Sequence, residues 1–161
     1  MSVTLRPAAP ADVPAIRELI EGLAEYERLR HECHATDALL HEALFGVRPY
    51  AEVVLAEADG AVAGFALFFH NFSTFLARPG IYLEDLFVRP AFRGRGIGKA
   101  LLGHLAQQAV ARGCGRLEWS VLDWNVDAIG FYTKLGAQPQ DEWTVYRVTG
   151  EALTQLASGD A

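Results

Sequence analysis

Cysteine is scarce in this chain of 161 residues, and its scarcity excludes a fold that depends on disulfide bonds. The two cysteines are Cys33, in a polar region, and Cys114, which stands between two glycines. Small secreted domains that rely on disulfides carry many more. The first residues also lack the basic start and apolar stretch of a secretory signal. We therefore expect two free thiols and a cytoplasmic protein.

Long hydrophobic runs are missing as well. The longest uninterrupted run extends only from Ala61 to Phe69, whereas a helix needs about 20 apolar residues to cross a bilayer. The sequence thus predicts no membrane association. Because 51% of the residues are hydrophobic, the chain can close one substantial core, but it is too short for two ordinary domains. We expect a single domain over residues 1–161.

Positive charge is in deficit, with 14 Lys and Arg against 20 Asp and Glu and a formal net charge of -6. General nucleic-acid binding depends on a surplus of basic residues, so the composition disfavours it. A cationic partner fits this charge better. Mild acidity also serves simply to keep a protein in solution, and charge alone does not separate these two interpretations.

Strand-like and helix-like segments alternate along the chain. Asp59-Gly60 is the clearest turn, since this pair tolerates positive φ and favours a tight hairpin. The predicted strands are residues 2–6, 52–57, 61–69, 81–88, 116–122 and 144–148. One predicted helix follows Asp12, a second begins at Thr36, and two more cover residues 96–112 and 126–135. This order predicts an α/β fold of three layers, with helices on both sides of a central mixed, partly parallel sheet.

A glycine-rich loop lies between the fourth of these strands and the longest helix. Its sequence is Arg93-Gly94-Arg95-Gly96-Ile97-Gly98-Lys99. Backbone amides at a helix N-terminus attract a negative group, and the helix dipole adds to the attraction. Arg93 and Arg95 can supply charge-assisted hydrogen bonds to the same ligand, as a pyrophosphate requires. The loop therefore predicts a phosphate site.

Other phosphate motifs fit this loop less well. Gly94, Gly96 and Gly98 do not have the spacing of the dinucleotide fingerprint. In the nucleotide P-loop pattern, Arg93 would replace the first glycine and Ala100 the hydroxyl residue. An arginine-glycine RNA-binding segment would be longer and more basic. By its composition alone, the loop could still be an ordinary strand-to-helix turn.

Two motifs in register resemble those of the GNAT superfamily of N-acetyltransferases. The pattern Arg93-x-x-Gly96-x-Gly98, after the strand Glu84-Asp85-Leu86-Phe87-Val88, resembles its CoA pyrophosphate loop. At the expected distance, Trp124-Asn125-x-x-Ala128-x-x-Phe131-Tyr132-x-x-x-Gly136-Ala137 resembles the next motif. Longer matches extend the resemblance to the spermidine/spermine (diamine) acetyltransferase branch; they are Arg6-Pro7-Ala8, Leu23-Ala24-x-Tyr26-Glu27 and Tyr82-Leu83-Glu84-Asp85.

The resemblance implies acetyl-CoA as the co-substrate. The pantetheine arm would pair with the backbone of Leu86, Phe87 and Val88, and Asn125, Ala128 and Tyr132 would complete the donor site. The pyrophosphate would meet Arg93 and the residues Gly94, Arg95, Gly96, Ile97, Gly98 and Lys99. The chemistry needs no metal, and the spacing of His31, Cys33, His34 and His41 matches no closed zinc pattern.

Acetyl transfer to an amine requires a lone pair on nitrogen. An alkylamine with a pKa of about 10 is neutral in roughly one molecule per thousand at pH 7, so a base must take its proton. Glu84, directly or through a water, is the candidate general base, and Tyr132 is the candidate proton donor to the leaving thiolate. Without the motif, Tyr132 would be a core aromatic and Asn125 only a helix cap.

The resemblance also implies an acceptor site for a small cationic amine, either a polyamine or a diamine, and a homodimer. The implied acceptor residues are Tyr26, Glu27, Glu84, Asp85, Glu118, Trp119, Ser120 and Glu142. Some of these acids could equally belong to a solvated face. The sequence departs from the animal diamine enzymes at residues 118–120 and between Ala137 and Trp143. A lysine analogue, another small amine or a protein amine are the alternative acceptors, and a non-catalytic CoA-binding regulator is the alternative outside the enzymes.

Overall fold

A five-stranded sheet in the spatial order β1-β2-β3-β4-β5 forms the centre of the fold in a computed structural model that describes residues 2–159. The strands are β1 (Val3–Pro7), β2 (Glu52–Ala58), β3 (Ala61–Ser73), β4 (Arg78–Val88) and β5 (Leu117–Trp119). Neighbours run antiparallel from β1 to β4, while β4 and β5 run parallel. The predicted mixed, partly parallel sheet is confirmed.

Helices that precede residue 123 lie on both faces of this sheet. In chain order the helices are α1 (Val13–Tyr26), α2 (Asp37–Phe45), α3 (Ile97–Ala111), α4 (Val126–Lys134) and α5 (Gly150–Ser158). The apolar side of α1, with Ile16 and Leu19, packs with Phe65 and Phe87 of the sheet. Leu101 and Leu105 of α3 are buried against the opposite face. Side chains alternate along each strand between the two faces of the sheet, so the strands contact a helix layer on each side. The predicted three-layer α/β arrangement is confirmed.

The chain divides into two compact units between Leu122 and Asp123. The first unit contains the sheet with α1, α2 and α3, and the second contains α4 and α5. The organisation of residues 1–161 as a single domain stays a prediction. Among residues 2–159, no helix combines the length and the apolar composition needed to cross a membrane. Both cysteines are free, as expected.

Several local predictions are confirmed in detail. Asp59 and Gly60 have φ values of 54° and 76°, so the β2–β3 hairpin turns through two left-handed residues. The hydroxyl of Thr36 accepts a hydrogen bond from the amide of Leu39 and caps α2. These elements form where predicted because their signals are local and act within a few residues.

The last predicted strand is wrong. Residues 144–148 form no strand, and Val145 and Tyr146 are 83% and 91% exposed. Alternating apolar residues favour a strand, but a strand needs a partner, and no strand of the described chain pairs with this segment. Helix α5 was not predicted, although Thr149 stands at its N-cap and Gly159 ends it with φ of 81°. The predicted strand 116–122 is shorter, at Leu117–Trp119.

Candidate active site

The edge of β4 opens where β5 ends. The parallel pairing joins Ile81–Leu83 to Leu117–Trp119, and β4 then continues to Val88. Over residues 84–88, β4 has a neighbouring strand only on the β3 side within the described chain. Backbone groups on the open side can pair with an extended ligand, as they do in strand addition. We call residues 84–88 the open edge of β4.

The glycine loop begins where the open edge ends. A short turn, Pro90–Phe92, leads into it, and α3 starts at Ile97 with Gly96 as its N-cap. Gly94 and Gly96 have φ values of 78° and 77°. A Cβ at either position would meet no atom within 4 Å, so the backbone conformation, and not crowding, requires glycine there.

The N-terminus of α3 provides the donors that an anion needs. The amides of Ile97, Gly98 and Lys99 have no acceptor inside the helix, because they precede its first complete turn. The helix dipole adds positive potential at the same point. An extended ligand on the open edge of β4 would therefore carry a phosphate group towards this loop. Contact between pyrophosphate and residues 93–99 stays a prediction.

The two arginines of the loop already contact protein groups. The guanidinium of Arg93 lies 5.2 Å from the ring centre of Tyr26 and 5.4 Å from that of Phe87. Its Nε donates to the carbonyl of Val88 at 2.9 Å. Arg95 forms an ion pair with Asp59 at 2.7 Å, in the β2–β3 turn. A guanidinium carries five N–H groups, so the contacts of Arg93 leave further donors for a phosphate.

A β-bulge at Glu84 sets the direction of the neighbouring side chains. Leu67 pairs with Asp85 and Phe68 pairs with Leu83, so Glu84 is the extra residue on β4. A bulge of one residue shifts the alternation of the strand. Asp85 therefore shares a sheet face with Tyr82, although residues three apart in a regular strand face opposite sides. The sequence contains no visible signal for this bulge.

Three carboxylates meet at the bulge. Glu27 follows the last residue of α1, while Glu84 and Asp85 lie on β4, and we call these three residues the acidic trio. Burial and then the charges of Glu84 and Glu27 raise the pKa of Asp85 to about 7. Burial and then Glu84 also raise the pKa of Glu27. The negative end of the α1 dipole adds to the negative electrostatic potential around these carboxylates.

The acidic trio has no cationic partner within the described residues. Neither an ion pair nor a hydrogen bond joins its carboxylates to the side chain of any residue from 2 to 159. No group of three or more Asp, Glu, His or Cys residues between positions 2 and 159 has an arrangement that could hold a metal ion. Asp85 and Glu27 are partly buried, and Glu84 is exposed. Carboxylates in such a cluster favour the binding of a cation such as an ammonium group.

A polar group continues along the same sheet face. Tyr82 pairs with Phe69 on one side and with Glu118 on the other, and the hydroxyls of Tyr82 and Ser120 are 2.7 Å apart. Asn71 donates to Glu118 at 3.2 Å. Neither Asn71 nor a separate role for Tyr82 was predicted, because the pairing of distant strands is not visible in the sequence.

The structure thus brings together some of the predicted acceptor residues and not others. Glu118 and Ser120 share the sheet face of Asp85, whereas Trp119 pairs with Leu83 and belongs to the opposite face. Tyr26, at the end of α1, contacts the loop through Arg93.

The remaining predicted residues lie in the second unit. Asn125 is buried and its side chain accepts from the amide of Ala128 at 3.3 Å, so it caps α4 as the sequence predicts. Tyr132 lies on α4, with its ring centre 5.6 Å from that of Phe131. Glu142 is exposed. Their roles in donor binding, catalysis and acceptor binding stay predictions.

The open edge of β4 leads to an anion-binding loop, and the acidic trio has no cationic partner among the described residues. This arrangement suits a group-transfer enzyme with a phosphate-bearing donor and a cationic acceptor. The family model described as "Acetyltransferase (GNAT) family" matches residues 15–137. The chain belongs to this family, and it is an acetyl-CoA-dependent N-acetyltransferase of small amines.

Curated relatives confirm the family over almost the whole chain. L-ornithine N5-acetyltransferase NATA1 of Arabidopsis thaliana is 39% identical, over 94% of this chain and 86% of its own length. Thialysine N-epsilon-acetyltransferase of Bos taurus is 37% identical, over 96% of this chain and 97% of its own length.

Two further comparisons agree with the predicted branch and fold. A human spermidine/spermine N(1)-acetyltransferase-like protein 1 is 30% identical over 95% of this chain, which spans 23% of that larger protein. The resemblance to the diamine acetyltransferase branch is therefore confirmed. Among solved structures, an integron cassette protein from the mobile metagenome of V. cholerae has a TM-score of 0.82, with 29% identity and 98% of both chains covered.

Proposed function

We propose that this enzyme acetylates the primary amine of a small cationic molecule by direct attack on acetyl-CoA, with the acceptor held at the acidic trio. The observation that carries the proposal is the clustering of Glu27 with Glu84 and Asp85, which lie on the open edge of β4, without a cationic partner among residues 2–159. The names of the relatives support it, since ornithine and thialysine are both small amines.

The donor would lie along the open edge. The pantetheine arm would hydrogen-bond to the backbone of Leu86–Val88, as an added strand does. The pyrophosphate would then reach the amides at the start of α3, helped by Arg93, and Asn125 and Ala128 of the second unit would contact the pantetheine. In this arrangement the thioester would lie beside Glu84, where β4 leaves β5.

The reaction removes two protons from the acceptor nitrogen and adds one to the leaving thiolate. The acceptor arrives as an ammonium, and Glu84 takes its first proton, directly or through a water, so that the nitrogen lone pair can attack the thioester carbon. The new C–N bond forms, and the C–S bond breaks as the tetrahedral intermediate collapses. Tyr132 donates a proton to the leaving thiolate and regains one from the second proton that the nitrogen loses, so the products are the acetamide and the CoA thiol, and the first proton passes from Glu84 to solvent.

The proposed roles are tested by measuring CoA-thiol release with L-ornithine, L-lysine, putrescine and spermidine. Glu84→Gln and Tyr132→Phe should each lower kcat by about 100-fold or more, the usual contribution of a general base or acid. Glu25→Gln is the matched control, because it removes an exposed carboxylate of α1 outside the trio. Wild-type turnover in both variants would show that neither residue takes part in the mechanism, and no turnover of any amine would contradict the proposed function.

We extend the proposal to a cytoplasmic homodimer. The cytoplasmic assignment is supported by the scarcity of cysteine and by the two free thiols, which suit a reducing compartment. The homodimer is supported by the resemblance to the diamine branch. Light scattering of the full chain tests it, with a mass close to twice that of the chain expected.

A further inference from the structure

Arg93 belongs to the glycine loop, and no acid within the described residues offsets its charge. Two arginines nearby in the sequence are paired, Arg89 with Glu18 at 3.3 Å and Arg95 with Asp59 at 2.7 Å. Arg93 is exposed and forms no ion pair with any residue from 2 to 159. A carboxylate partner would offset its charge and would compete with a phosphate for the same N–H groups. Arg93 therefore keeps its charge for an anion.

Aromatic rings hold the guanidinium of Arg93 in place of an acid. Its central carbon lies 5.2 Å from the ring centre of Tyr26 and 5.4 Å from that of Phe87. The face of an aromatic ring attracts a cation although the ring carries no net charge. Nε also donates to the carbonyl of Val88 at 2.9 Å. These contacts restrict the orientation of the guanidinium and leave its terminal N–H groups for a ligand.

Helix α1 supports this arrangement through one stripe of residues. Glu18, Gly22 and Tyr26 are spaced four residues apart, so they lie on one side of the helix. Glu18 pairs with the arginine that directly follows β4, and Tyr26 contacts Arg93. A Cβ at Gly22 would lie 3.0 Å from the ring of Phe87, so glycine lets this ring pack close to the helix. The stripe thus connects α1 to the start of the glycine loop.

The contact of Tyr26 differs from the role that the family resemblance implies for it. The resemblance implies that Tyr26 binds the acceptor, whereas in the structure its ring lies against an arginine of the donor loop. Glu27, the next residue, belongs to the acidic trio. Successive residues of a helix point about 100° apart, so the end of α1 can face two neighbours at once. Tyr26 and Glu27 therefore serve different parts of the site.

We propose that Tyr26 is a positioning residue of the donor site, where it holds, together with Phe87, the guanidinium of Arg93 for the pyrophosphate of acetyl-CoA. This inference rests on the proposed function, since it requires the pyrophosphate at residues 93–99. Tyr26 acts through Arg93 and does not touch the reacting atoms. It also makes no contact with the acceptor.

Calorimetric titration with acetyl-CoA, in the absence of any amine, tests the inference without turnover. Tyr26→Leu should raise Kd about threefold to tenfold, because the side chain stays apolar but loses the ring. Tyr26→Phe keeps the ring and should stay within about twofold of the wild type. Unchanged affinity in Tyr26→Leu would overturn the inference.

Tyr50→Leu is the matched control for this titration. Tyr50 is exposed, and the guanidinium of Arg48 lies 5.9 Å from its ring centre, outside the predicted site. The variant therefore removes the same kind of contact elsewhere in the first unit. Its Kd for acetyl-CoA should equal that of the wild type, and a loss as large as that of Tyr26→Leu would count against a specific role of Tyr26.

A double-mutant cycle tests whether Tyr26 acts through Arg93. Arg93→Gln should raise Kd for acetyl-CoA about tenfold or more, since it removes a charge-assisted contact with phosphate. In that background Tyr26→Leu should change Kd by less than about twofold, because the guanidinium that it holds is gone. The same loss in both backgrounds would show that Tyr26 acts independently of Arg93 and would overturn the inference.

Steady-state kinetics separate the donor side from the acceptor side. Tyr26→Leu should raise KM for acetyl-CoA, with kcat and the KM for the amine near the wild-type values. A higher KM for the amine with an unchanged Kd for acetyl-CoA would assign Tyr26 to the acceptor site instead. If the wild type acetylated no amine, the proposed function would fail, while the titrations would still decide the role of Tyr26.

Discussion

Asp85 has the most perturbed environment among the acids of the site. It is partly buried, it lies beside Glu84 and Glu27, and no cation within the described residues offsets its charge. Ionisation of Asp85 is therefore costly in the folded protein, and an ammonium group bound as we propose would offset this cost. One residue thus connects the stability of the fold with the charge of the acceptor.

Asp85 predicts a dependence of stability on pH. The folded state holds a proton on Asp85 up to about pH 7, whereas the unfolded state loses it near pH 4, so stability falls as pH rises between these values. Asp85→Asn should remove this loss and raise Tm above pH 7 by roughly 2 to 8 °C, with little effect near pH 4.

Thermal unfolding of the wild type and Asp85→Asn between about pH 4 and pH 8 measures this effect, since the interval covers both titrations. Asp141→Asn, which removes an exposed carboxylate of the second unit, is the control, and its effect should not grow with pH. A difference between wild type and Asp85→Asn that is constant with pH would contradict the assignment.

At the scale of elements, the site is built where regular structure ends. The open edge exists because β5 stops at Trp119 while β4 continues to Val88, and the glycine loop begins where α3 has not yet formed its hydrogen bonds. The bulge at Glu84 turns Asp85 towards the face of Glu118. Each of these features leaves polar groups without an internal partner, which is what a ligand needs.

The conformation of the glycine loop can be tested at Gly96. Its φ of 77° costs any other residue about 1 to 2 kcal/mol, so Gly96→Ala should distort the start of α3 and raise Kd for acetyl-CoA. Gly103→Ala is the matched control on α3, because Gly103 lies inside the helix and a Cβ there meets no atom within 4 Å.

Calorimetric titration with acetyl-CoA and thermal unfolding distinguish the two variants. Gly103→Ala should leave Kd unchanged and stabilise the protein by up to about 1 kcal/mol, since alanine favours a helix over glycine. An unchanged Kd in Gly96→Ala would show that the loop does not need its left-handed residue to bind the donor.

At the scale of the whole molecule, the core of the first unit fixes the open edge of β4 relative to the end of α1. Phe65 and Phe87 pair across β3 and β4 and pack under α1, so the core that fixes the open edge also fixes the end of α1, where Glu27 lies. Loss of this packing would affect the acceptor side and the donor side of the first unit together.

Phe65 tests the contribution of the core. It is fully buried, so Phe65→Ala should lower the free energy of unfolding by about 3 to 5 kcal/mol. Phe75, which is 98% exposed in the turn between β3 and β4, is the control, and Phe75→Ala should change stability by less than about 0.5 kcal/mol. Denaturant unfolding measures both, and similar losses in the two variants would contradict this description of the core.

The sequence by itself determined the elements whose signals are local and the motifs that define the family. The Asp59-Gly60 turn, the Thr36 and Asn125 caps and the Arg93–Lys99 loop each act through neighbouring residues, so they can be recognised without the fold. For the same reason, the acetyl-CoA donor could be inferred from sequence alone, while the acceptor could be narrowed only to a small amine.

Only the tertiary structure decided which residues of different strands share a face. Three features depend on strand register. The bulge brings Asp85 to the sheet face of Glu118, Asn71 passes over Gly80, and Trp119 lies on the other face. The predicted strand at residues 144–148 failed for the same reason, because alternation of side chains does not supply a partner. Register is set by pairing between distant segments, which no local pattern encodes.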